Sequence, residues 1–288
     1  MSVLNDLHKN NIRVSDIASQ YWCERQMEYN YKYGQKITKE IKEGKTIHEE
    51  LENEVNVPIL LQPKNYADAL YKIMYTNLQA LKALKEKKKT REVQVYGSLG
   101  GYTVVGKIDQ LDIRDDKVIV LEDKTRSNGQ VPSDAQQLVH KIQVMVYKRM
   151  LDDLRAGLYG FENFEVAYHI QSLKMTDEFK RQLDALKIEG SMQTLDVVAK
   201  NFFSELRTLN EISDLMQVRY LDQFTGKEIK SHRVKYDKEE TDQIIKFILK
   251  YWNGERQALP VPESESWKCR FCVFFGKECK VWWNQKAL

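Results

Sequence analysis

Two acidic residues and a lysine lie on consecutive candidate strands near the middle of the chain. Glu122 and Lys124 are two residues apart in KVIVLEDKT, so on a strand both side chains point to the same face. Asp109, in GKIDQL, lies on the preceding candidate strand, which should run antiparallel beside it. Paired carboxylates can share a hard divalent cation such as Mg²⁺, and a neighbouring lysine can neutralise charge that develops on a phosphate. This set predicts metal-dependent phosphodiester chemistry.

Other polar residues occur at helical spacing on either side of these strands. Gln143 and Tyr147 are four residues apart on a predicted helix, so they share a face. Upstream, GKTIH places His48 one helical turn after Gly44. Each motif alone is ordinary, since a lone histidine is usually a core or surface residue and E-x-K occurs on many surface strands. The informative feature is their order: G-x-x-x-H, G-x-I-D, E-x-K and Q-x-x-x-Y.

The four cysteines are divided between the two ends of the chain. Cys269, Cys272 and Cys279 form C-x2-C-x6-C in WKCRFCVFFGKEC, and Cys23 lies far away in YWCERQ. In a reducing compartment cysteines indicate metal binding or catalysis before disulfides. Four thiolates suit a tetrahedral Zn²⁺ ion or a [4Fe–4S] cluster, and the residues alone leave both open.

The composition is that of a globular protein. The 288 residues include 42% hydrophobic and 30% charged residues, and 45 Lys and Arg against 42 Asp and Glu give a net charge of +3. That excess alone does not indicate a nucleic-acid partner. The sequence has neither a long apolar run nor an apolar signal core at its start, so we expect no membrane association. We expect an intracellular protein of the nucleus or cytoplasm, with the mitochondrion as an alternative.

The elements that must position these residues follow from the hydrophobic pattern. The predicted class is α/β, with an antiparallel meander whose turns lie at Gly100-Gly101 and Asp115-Asp116. Ser15 is the expected N-cap of the first long helix and Gly34 its end. Helices are predicted at 15–33, 39–55, 65–89, 134–156, within 174–212 and at 237–253. Strands are predicted at 91–97, 102–113, 117–125 and 164–172, with a hairpin at 217–236.

The ordered motifs resemble the RecB-type nucleases of the PD-(D/E)XK superfamily. Several stretches together resemble the exonuclease V family within that group, from about residue 12 to 283: YWCERQMEYNYKYG, GKTIHEELE, REVQVYG, VVGKIDQL, LEDKTR, QVMVYKRMLDDL and WKCRFC. The resemblance implies a restriction-endonuclease-like core, a mixed sheet flanked by helices, within a single nuclease domain at 1–288. Its expected parts are an N-terminal helical region at 12–90, a catalytic core at 91–172, a helical and hairpin addition at 173–258 and a cysteine-rich tail at 259–288.

The resemblance also implies roles for individual residues. His48, Asp109 and Glu122 would be ligands of Mg²⁺ or Mn²⁺, and Lys124 would be the catalytic lysine. Gln143 and Tyr147 would place the DNA strand and the active-site groups, and Glu92 matches a further acidic position. Cys23, Cys269, Cys272 and Cys279 would hold a [4Fe–4S] cluster, because one cysteine from the N-terminal helix and three from the tail is the division found in iron–sulfur relatives.

The implied activity is exonuclease hydrolysis of single-stranded DNA from free ends in DNA repair or genome maintenance. Alternatives are a nuclease of CRISPR adaptation, a catalytically weak DNA-binding scaffold and a zinc-stabilised interaction module. The expected partners are single-stranded DNA and a single-strand-binding protein, and we expect a monomer. A basic, aromatic passage should bind the strand. Its candidates are Lys88, Arg126, Lys141 and Arg149, with Lys85, Lys87, Lys89, Tyr21, Tyr29, Tyr31 and Tyr33.

Overall fold

A computed structural model describes residues 3–36, 43, 46–47, 51–53, 55–56 and 58–282. The predicted helix at 39–55 is therefore covered only in part: of its described residues, 43, 46–47 and 51–53 are helical and 55 lies in a turn. His48 and Gly44 lie outside the described residues. No helix in the described part of the chain is long and apolar enough to span a membrane.

A mixed sheet forms the centre of the structure. Its strands in the described residues are β1 (Ile12–Arg13), β2 (Lys89–Leu99), β3 (Tyr102–Arg114), β4 (Lys117–Arg126), β5 (Leu215–Asp222) and β6 (Glu228–Lys235). The predicted antiparallel meander β2–β3–β4 is confirmed. Its two turns use Gly100, Gly101, Asp115 and Asp116, all with positive φ.

Two parallel pairings extend this meander. β1 pairs with the first half of β3, through Ile12 and Val104, while β4 takes the second half of the same edge. On its other edge β4 pairs in parallel with β5, and β5 continues antiparallel into β6. The predicted hairpin therefore lies in the same sheet as the meander, directly beside the strand that carries Glu122 and Lys124.

Helices cover the sheet. The main helices in the described residues are α1 (Val3–Asp6), α2 (Val14–Lys32), α3 (Tyr66–Lys87), α4 (Asp134–Arg155), α5 (Phe161–Tyr168), α6 (Asp177–Ala185), α7 (Leu195–Arg207) and α8 (Lys238–Trp252). Short 3-10 segments lie at Ile170–Ser172, Gly190–Met192 and Glu263–Phe271. The helices predicted at 15–33, 65–89, 134–156 and 237–253 are confirmed within a few residues.

The expected N-cap of α2 is wrong by two residues. The cap is Arg13, not Ser15, because the Asp16 carboxylate accepts the main-chain N–H of Arg13 at 2.9 Å. This contact satisfies an N–H group that the helix itself leaves unbonded. At the other end α2 stops at Lys32, and Gly34 follows with φ 85°.

The strand predicted at 164–172 is also wrong, because this segment forms α5 and a 3-10 turn. Gly160 is the N-cap, and its N–H donates to the side chain of Asn163 at 2.9 Å. Phe161, Phe164 and Tyr168 have helical spacing, and Phe164 packs against Tyr96 and Phe203. Val166, which an alternating strand pattern would bury, is 73% exposed. The helical periodicity of the aromatic residues decides the conformation here.

Candidate active site

Lys124 lies at the centre of a hydrogen-bonded group at the carboxyl end of β4. Its Nζ donates to Oε1 of Glu122 at 2.6 Å and to Oε1 of Gln143 on α4 at 3.0 Å. Burial acts to lower the lysine pKa, but the charges of Glu122 and Asp109 outweigh it, so the pKa of Lys124 is raised. Lys124 is therefore a protonated, positively charged group throughout the neutral pH range.

Asp109 and Glu122 face the same part of the site. The antiparallel register pairs Gln110 with Leu121, and continuing it by one residue puts Asp109 level with Glu122. Oδ2 of Asp109 also accepts the main-chain N–H of Asp123 at 2.7 Å. Both carboxylates are buried, and both raise the pKa of Lys124. Two carboxylates and one ammonium group thus occupy a small, largely desolvated space.

Gln143 and Tyr147 connect this group to the preceding strand. Nε2 of Gln143 lies 3.3 Å from the Tyr147 hydroxyl, which donates to the carbonyl of Lys107 at 2.8 Å. A Cβ atom at Gly106 would lie 2.5 Å from the Tyr147 ring and 2.7 Å from Val14, so only glycine allows this approach. The glycine of G-x-I-D and the tyrosine of Q-x-x-x-Y are therefore packed against each other.

Glu92 marks an irregularity of β2 beside the site. Ladder pairs flank it on both sides, Arg91 with Gln110 and Val93 with Ile108, so Glu92 is level with Asp109. Its φ is 57°, a left-handed conformation that non-glycine residues rarely adopt. Its carboxylate forms an ion pair with Lys107. Glu92 is therefore an acidic residue close to the site, on a distorted stretch of β2.

The opposite face of the sheet carries a buried ionic cluster that the sequence analysis missed. The side chain of Asp123 accepts from Arg91 at 2.7 Å and from Arg219 at 2.7 and 2.8 Å. Burial acts to raise the pKa of Asp123, but the two guanidinium groups outweigh it and lower the pKa. The alternation of side chains along a strand already predicts that Asp123 points away from Glu122. Its partners Arg91 and Arg219 lie on other strands, so no local sequence pattern indicates them.

The four cysteines line a single pocket between α2 and the tail. Trp22, Arg25, Tyr29 and Trp282 contribute to the same walls. Cys23 has φ −169° and ψ 113°, which interrupts α2 with an extended residue. Burial raises the pKa of the Cys23 thiol, and nearby Cys272 and Cys279 add to the rise. All four thiols are free of disulfides. The structure thus brings together the cysteines that are furthest apart in sequence.

The described members of the two candidate ligand sets do not form a preassembled ion cage. Among the described residues, which include all four cysteines, Asp109 and Glu122, no three His, Cys, Asp or Glu side chains are placed to hold one metal ion. His48, the third expected ligand beside the carboxylates, is not among those residues. The chemistry of each donor set is nevertheless suitable: paired carboxylate oxygens fit a hard divalent cation, and four thiols fit iron or zinc.

Several residues predicted to contact DNA form hydrogen bonds or ion pairs with other groups of the protein. Lys141 binds both carboxylate oxygens of Glu240 at 2.7 and 2.8 Å, and Arg149 binds Asp153 and Asp242. Lys88 has a left-handed conformation as the C-cap of α3. Arg126 follows Lys124 by two residues at the end of the same strand, where its Nε donates to the carbonyl of Gln130.

The predicted lysine run and tyrosines also make contacts within the protein. Lys85 pairs with Glu205, and Lys87 donates to the carbonyl of Val55. The Tyr31 hydroxyl donates to Asp16 at 2.6 Å beneath the ammonium group of Lys9. Tyr29 and Tyr33 pack against Phe274 of the tail. Tyr21 packs against Phe247 of α8.

Three comparisons relate this chain to known proteins. The crystal structure of SSO0001 is similar over 94% of this chain and 91% of its own, at 14% identity and a TM-score of 0.41. Exonuclease V of Danio rerio is 26% identical over 289 aligned positions, which cover 95% of this chain and 71% of the relative. The sequence model of exonuclease V, a family described as 5′ deoxyribonucleases, matches residues 3–117, 112–205 and 181–283. With nearly the whole length matched, the chain belongs to the exonuclease V family.

Proposed function

We propose that this protein is a metal-dependent exonuclease that hydrolyses single-stranded DNA from free ends. The observation that supports this most strongly is the contact of the Lys124 ammonium with Glu122 and Gln143, in a space that also contains Asp109. A protein that used the fold only as a scaffold would have no need to keep two buried carboxylates and a lysine together, because burying charge is costly. DNA repair or genome maintenance is the corresponding cellular role.

Lys124 supplies positive charge where negative charge accumulates during hydrolysis. Its raised pKa keeps it protonated, and its bond to Gln143 fixes the direction of the ammonium group. Tyr147 holds Gln143 from the other side and is itself anchored on the carbonyl of Lys107. Donors that are already oriented need little reorganisation as the phosphate gains charge, which is the main source of electrostatic catalysis.

Asp109 and Glu122 are the residues that would hold the divalent cation, Mg²⁺ or Mn²⁺, with His48 as a third ligand. A bound cation of this kind polarises the phosphodiester and lowers the pKa of its water. The chain's own contribution is to fix the carboxylates, since Asp109 is oriented by the N–H of Asp123 and Glu122 by Lys124.

Cys23, Cys269, Cys272 and Cys279 would hold a [4Fe–4S] cluster, with a single zinc ion as the alternative. The support is the convergence of all four thiols on one pocket. Hydrolysis of a phosphodiester transfers no electrons, so we assign the site a structural role. It would fasten the interrupted helix α2 to the cysteine-rich tail.

The direct experiment is digestion of end-labelled DNA with and without Mg²⁺. The proposal expects linear single strands to be degraded, circular single strands to survive, and a chelator to stop the reaction. The family description further suggests attack from 5′ ends, so a blocked 5′ end should protect more than a blocked 3′ end. Cutting of circles would contradict the exonuclease assignment, and binding of DNA without any cutting would favour a scaffold.

A further inference from the structure

An exposed aromatic side chain lies at the tip of the β5–β6 hairpin. Phe224 is 72% exposed in the turn that joins Asp222 to Lys227. A single exposed apolar side chain is common on protein surfaces and by itself means little. What makes Phe224 informative is its rigid support and its position relative to Lys124.

The turn that carries Phe224 is held by a network centred on Asp222. Oδ1 of Asp222 accepts the N–H of Phe224 at 3.0 Å, the N–H of Thr225 at 2.8 Å and the Thr225 hydroxyl at 2.9 Å. Gly226, with φ 66°, completes the reversal, and its N–H donates to the carbonyl of Asp222. A carboxylate that bonds the next main-chain groups in this way fixes a turn. The backbone thus presents the ring outward in a defined place.

The same turn lies beside the catalytic strand. In the parallel pairing of β4 with β5, Lys124 is opposite Tyr220 and Arg126 is opposite Asp222. The N–H of Gln223 donates to the carbonyl of Arg126 at 3.0 Å. Phe224 is four residues beyond Tyr220, the partner of Lys124, and the last two of these lie in the turn, so Phe224 is within about 13 Å of the level of Lys124 along the strand direction. It therefore lies at the edge of the candidate active site, a few nucleotides away from a phosphate bound at Lys124.

Charged side chains of both signs surround the ring. Arg126 lies opposite Asp222 at the end of β4, and Lys227 and Lys230 are exposed after the turn. Glu228 is also exposed, and Glu43 accepts a hydrogen bond from Gln223. Asp222 directs its carboxylate oxygen Oδ1 into the turn. An outward aromatic ring beside cationic side chains matches single-stranded nucleic acid, whose phosphates attract the charges and whose bases stack on the ring.

We propose that Phe224 stacks on a base of the DNA strand and so sets the register of that strand at Lys124. This inference rests on the proposed function and adds a positioning residue to it. Stacking uses the face of the base, which all four bases have, so the contact holds the strand without selecting sequence. The ligand at this position is a nucleobase of an unpaired strand, because a base within a duplex is already stacked on its neighbours.

The test compares the wild-type protein with Phe224→Ala, Phe224→Trp and a control, Leu158→Ala. Leu158 is also 72% exposed but follows α4, whose end at Arg155 is about 18 Å from Gln143 along the helix. The probe is a series of fluorescent single strands, each with one abasic nucleotide at a successive position from the 5′ end. Binding is measured without divalent cation, so that no strand is cut.

The wild type should lose about fivefold or more in affinity when the abasic nucleotide reaches one particular position. Phe224→Ala should bind the intact strand more weakly by a similar factor and show no further loss at that position. Phe224→Trp should restore both the affinity for the intact strand and the loss at that abasic position. Leu158→Ala should match the wild type. Thermal melting of Phe224→Ala should be unchanged, because the ring is exposed.

Two results would overturn the inference in distinguishable ways. If the wild type binds single strands and cuts them with Mg²⁺, but Phe224→Ala keeps the wild-type abasic profile, the stacking role is wrong and the proposed function stands. If the wild type neither binds nor cuts single strands, the proposed function fails and the role of Phe224 fails with it.

Discussion

The main-chain N–H of Asp123 donates a hydrogen bond to Oδ2 of Asp109 over 2.7 Å. The residue between Glu122 and Lys124 thus orients a carboxylate on the neighbouring strand. Its own side chain points to the opposite face, where Arg91 and Arg219 bind it. The orientation of the Asp109 carboxylate therefore depends on an ionic cluster on the far side of the sheet.

Replacing Asp123 by asparagine should destabilise the protein, because two guanidinium groups would remain without their buried anion. Arg91 and Asp123 have side-chain exposures of 2% and 0%, so solvent cannot substitute for the lost charge. Breaking one partner of a buried pair typically costs about 3–5 kcal/mol. Urea unfolding of Asp123→Asn measures this cost. The matched control is Asp196→Asn, whose exposed ion pair with Lys200 should contribute little to stability. Equal stability of the two variants would show that Asp123 is not an anchor.

Substitution of the central group should abolish cleavage while the protein remains folded. Asp109→Ala and Glu122→Ala each remove a proposed cation ligand, and Lys124→Ala removes the ammonium group, so cleavage should fall by about a hundredfold or more. DNA binding should be largely retained, because most of the binding surface is untouched. Initial rates on a labelled single strand give the measurement. Lys200→Ala, which removes an exposed lysine on α7, should cut at the wild-type rate. Near-normal cleavage by any of the three variants contradicts the assignment of that residue.

Gly106→Ala should impair both stability and cleavage. The added Cβ atom would lie 2.5 Å from the Tyr147 ring and 2.7 Å from Val14, so the ring must move from its bond with Lys107. Overpacking of this kind costs about 1–3 kcal/mol. Gly190→Ala is the matched control, because a Cβ atom there would have no neighbour within 4 Å. Thermal melting and initial rates of the two variants are to be compared. If they behave alike, the packing of Gly106 against Tyr147 has no bearing on the site.

His140 should make the protein sensitive to acid. Burial, with Lys124 and Arg126 nearby, lowers the pKa of His140 to about 2, and its Nδ1 lies 3.2 Å from the Tyr220 hydroxyl. An unfolded histidine has a pKa of about 6.5. Below that pH this histidine binds a proton in the unfolded chain but not in the folded protein. The free energy of unfolding therefore has its full value above about pH 6.5 and falls as the pH drops towards 2. His140→Gln should flatten the dependence of the urea midpoint on pH between 7 and 4. His169→Asn, at an exposed histidine with positive φ, should leave it unchanged.

Local patterns predicted the parts of the fold and site that depend on neighbouring residues. Strand alternation placed Glu122 and Lys124 on one face, and helical spacing paired Gln143 with Tyr147. The pairing of β4 with β5 was not predictable in this way, because 88 residues separate Arg126 from Leu215 and a parallel pair has no connecting turn. The Asp123 cluster and the position of Phe224 both follow from that pairing. Neither could be predicted without knowing that β4 and β5 are neighbours in the sheet.

Contacts other than the cysteines also join α2 to the C-terminal part of the chain. Glu24 forms an ion pair with Arg256, and Nε1 of Trp252 donates to Oε1 of Gln20 at 2.8 Å. Trp22 packs edge-on against Trp267 of the tail. A cluster would therefore complete an existing connection, and its loss should loosen the pocket without unfolding the sheet.

Anaerobically purified protein should accordingly be brown and contain about four irons per chain, the content of a [4Fe–4S] site. Cys23→Ala and Cys272→Ala should lose the colour equally, because both thiols line the same pocket although 249 positions separate them. A colourless wild type with one zinc ion would replace the cluster by a zinc site and keep the four ligands. Glu122→Ala, which does not line the pocket, should stay brown.

Cys272→Ala should also melt at lower temperature and bind a fluorescent single strand more weakly, since α2 and the tail are then held together by weaker contacts such as that of Trp22 with Trp267. Glu122→Ala should melt and bind like the wild type and fail only in cleavage. If Cys272→Ala melts, binds and cuts like the wild type, the cysteines do not connect α2 to the tail; if it binds normally and cuts in one oxidation state only, the site is regulatory and its assignment as structural is wrong.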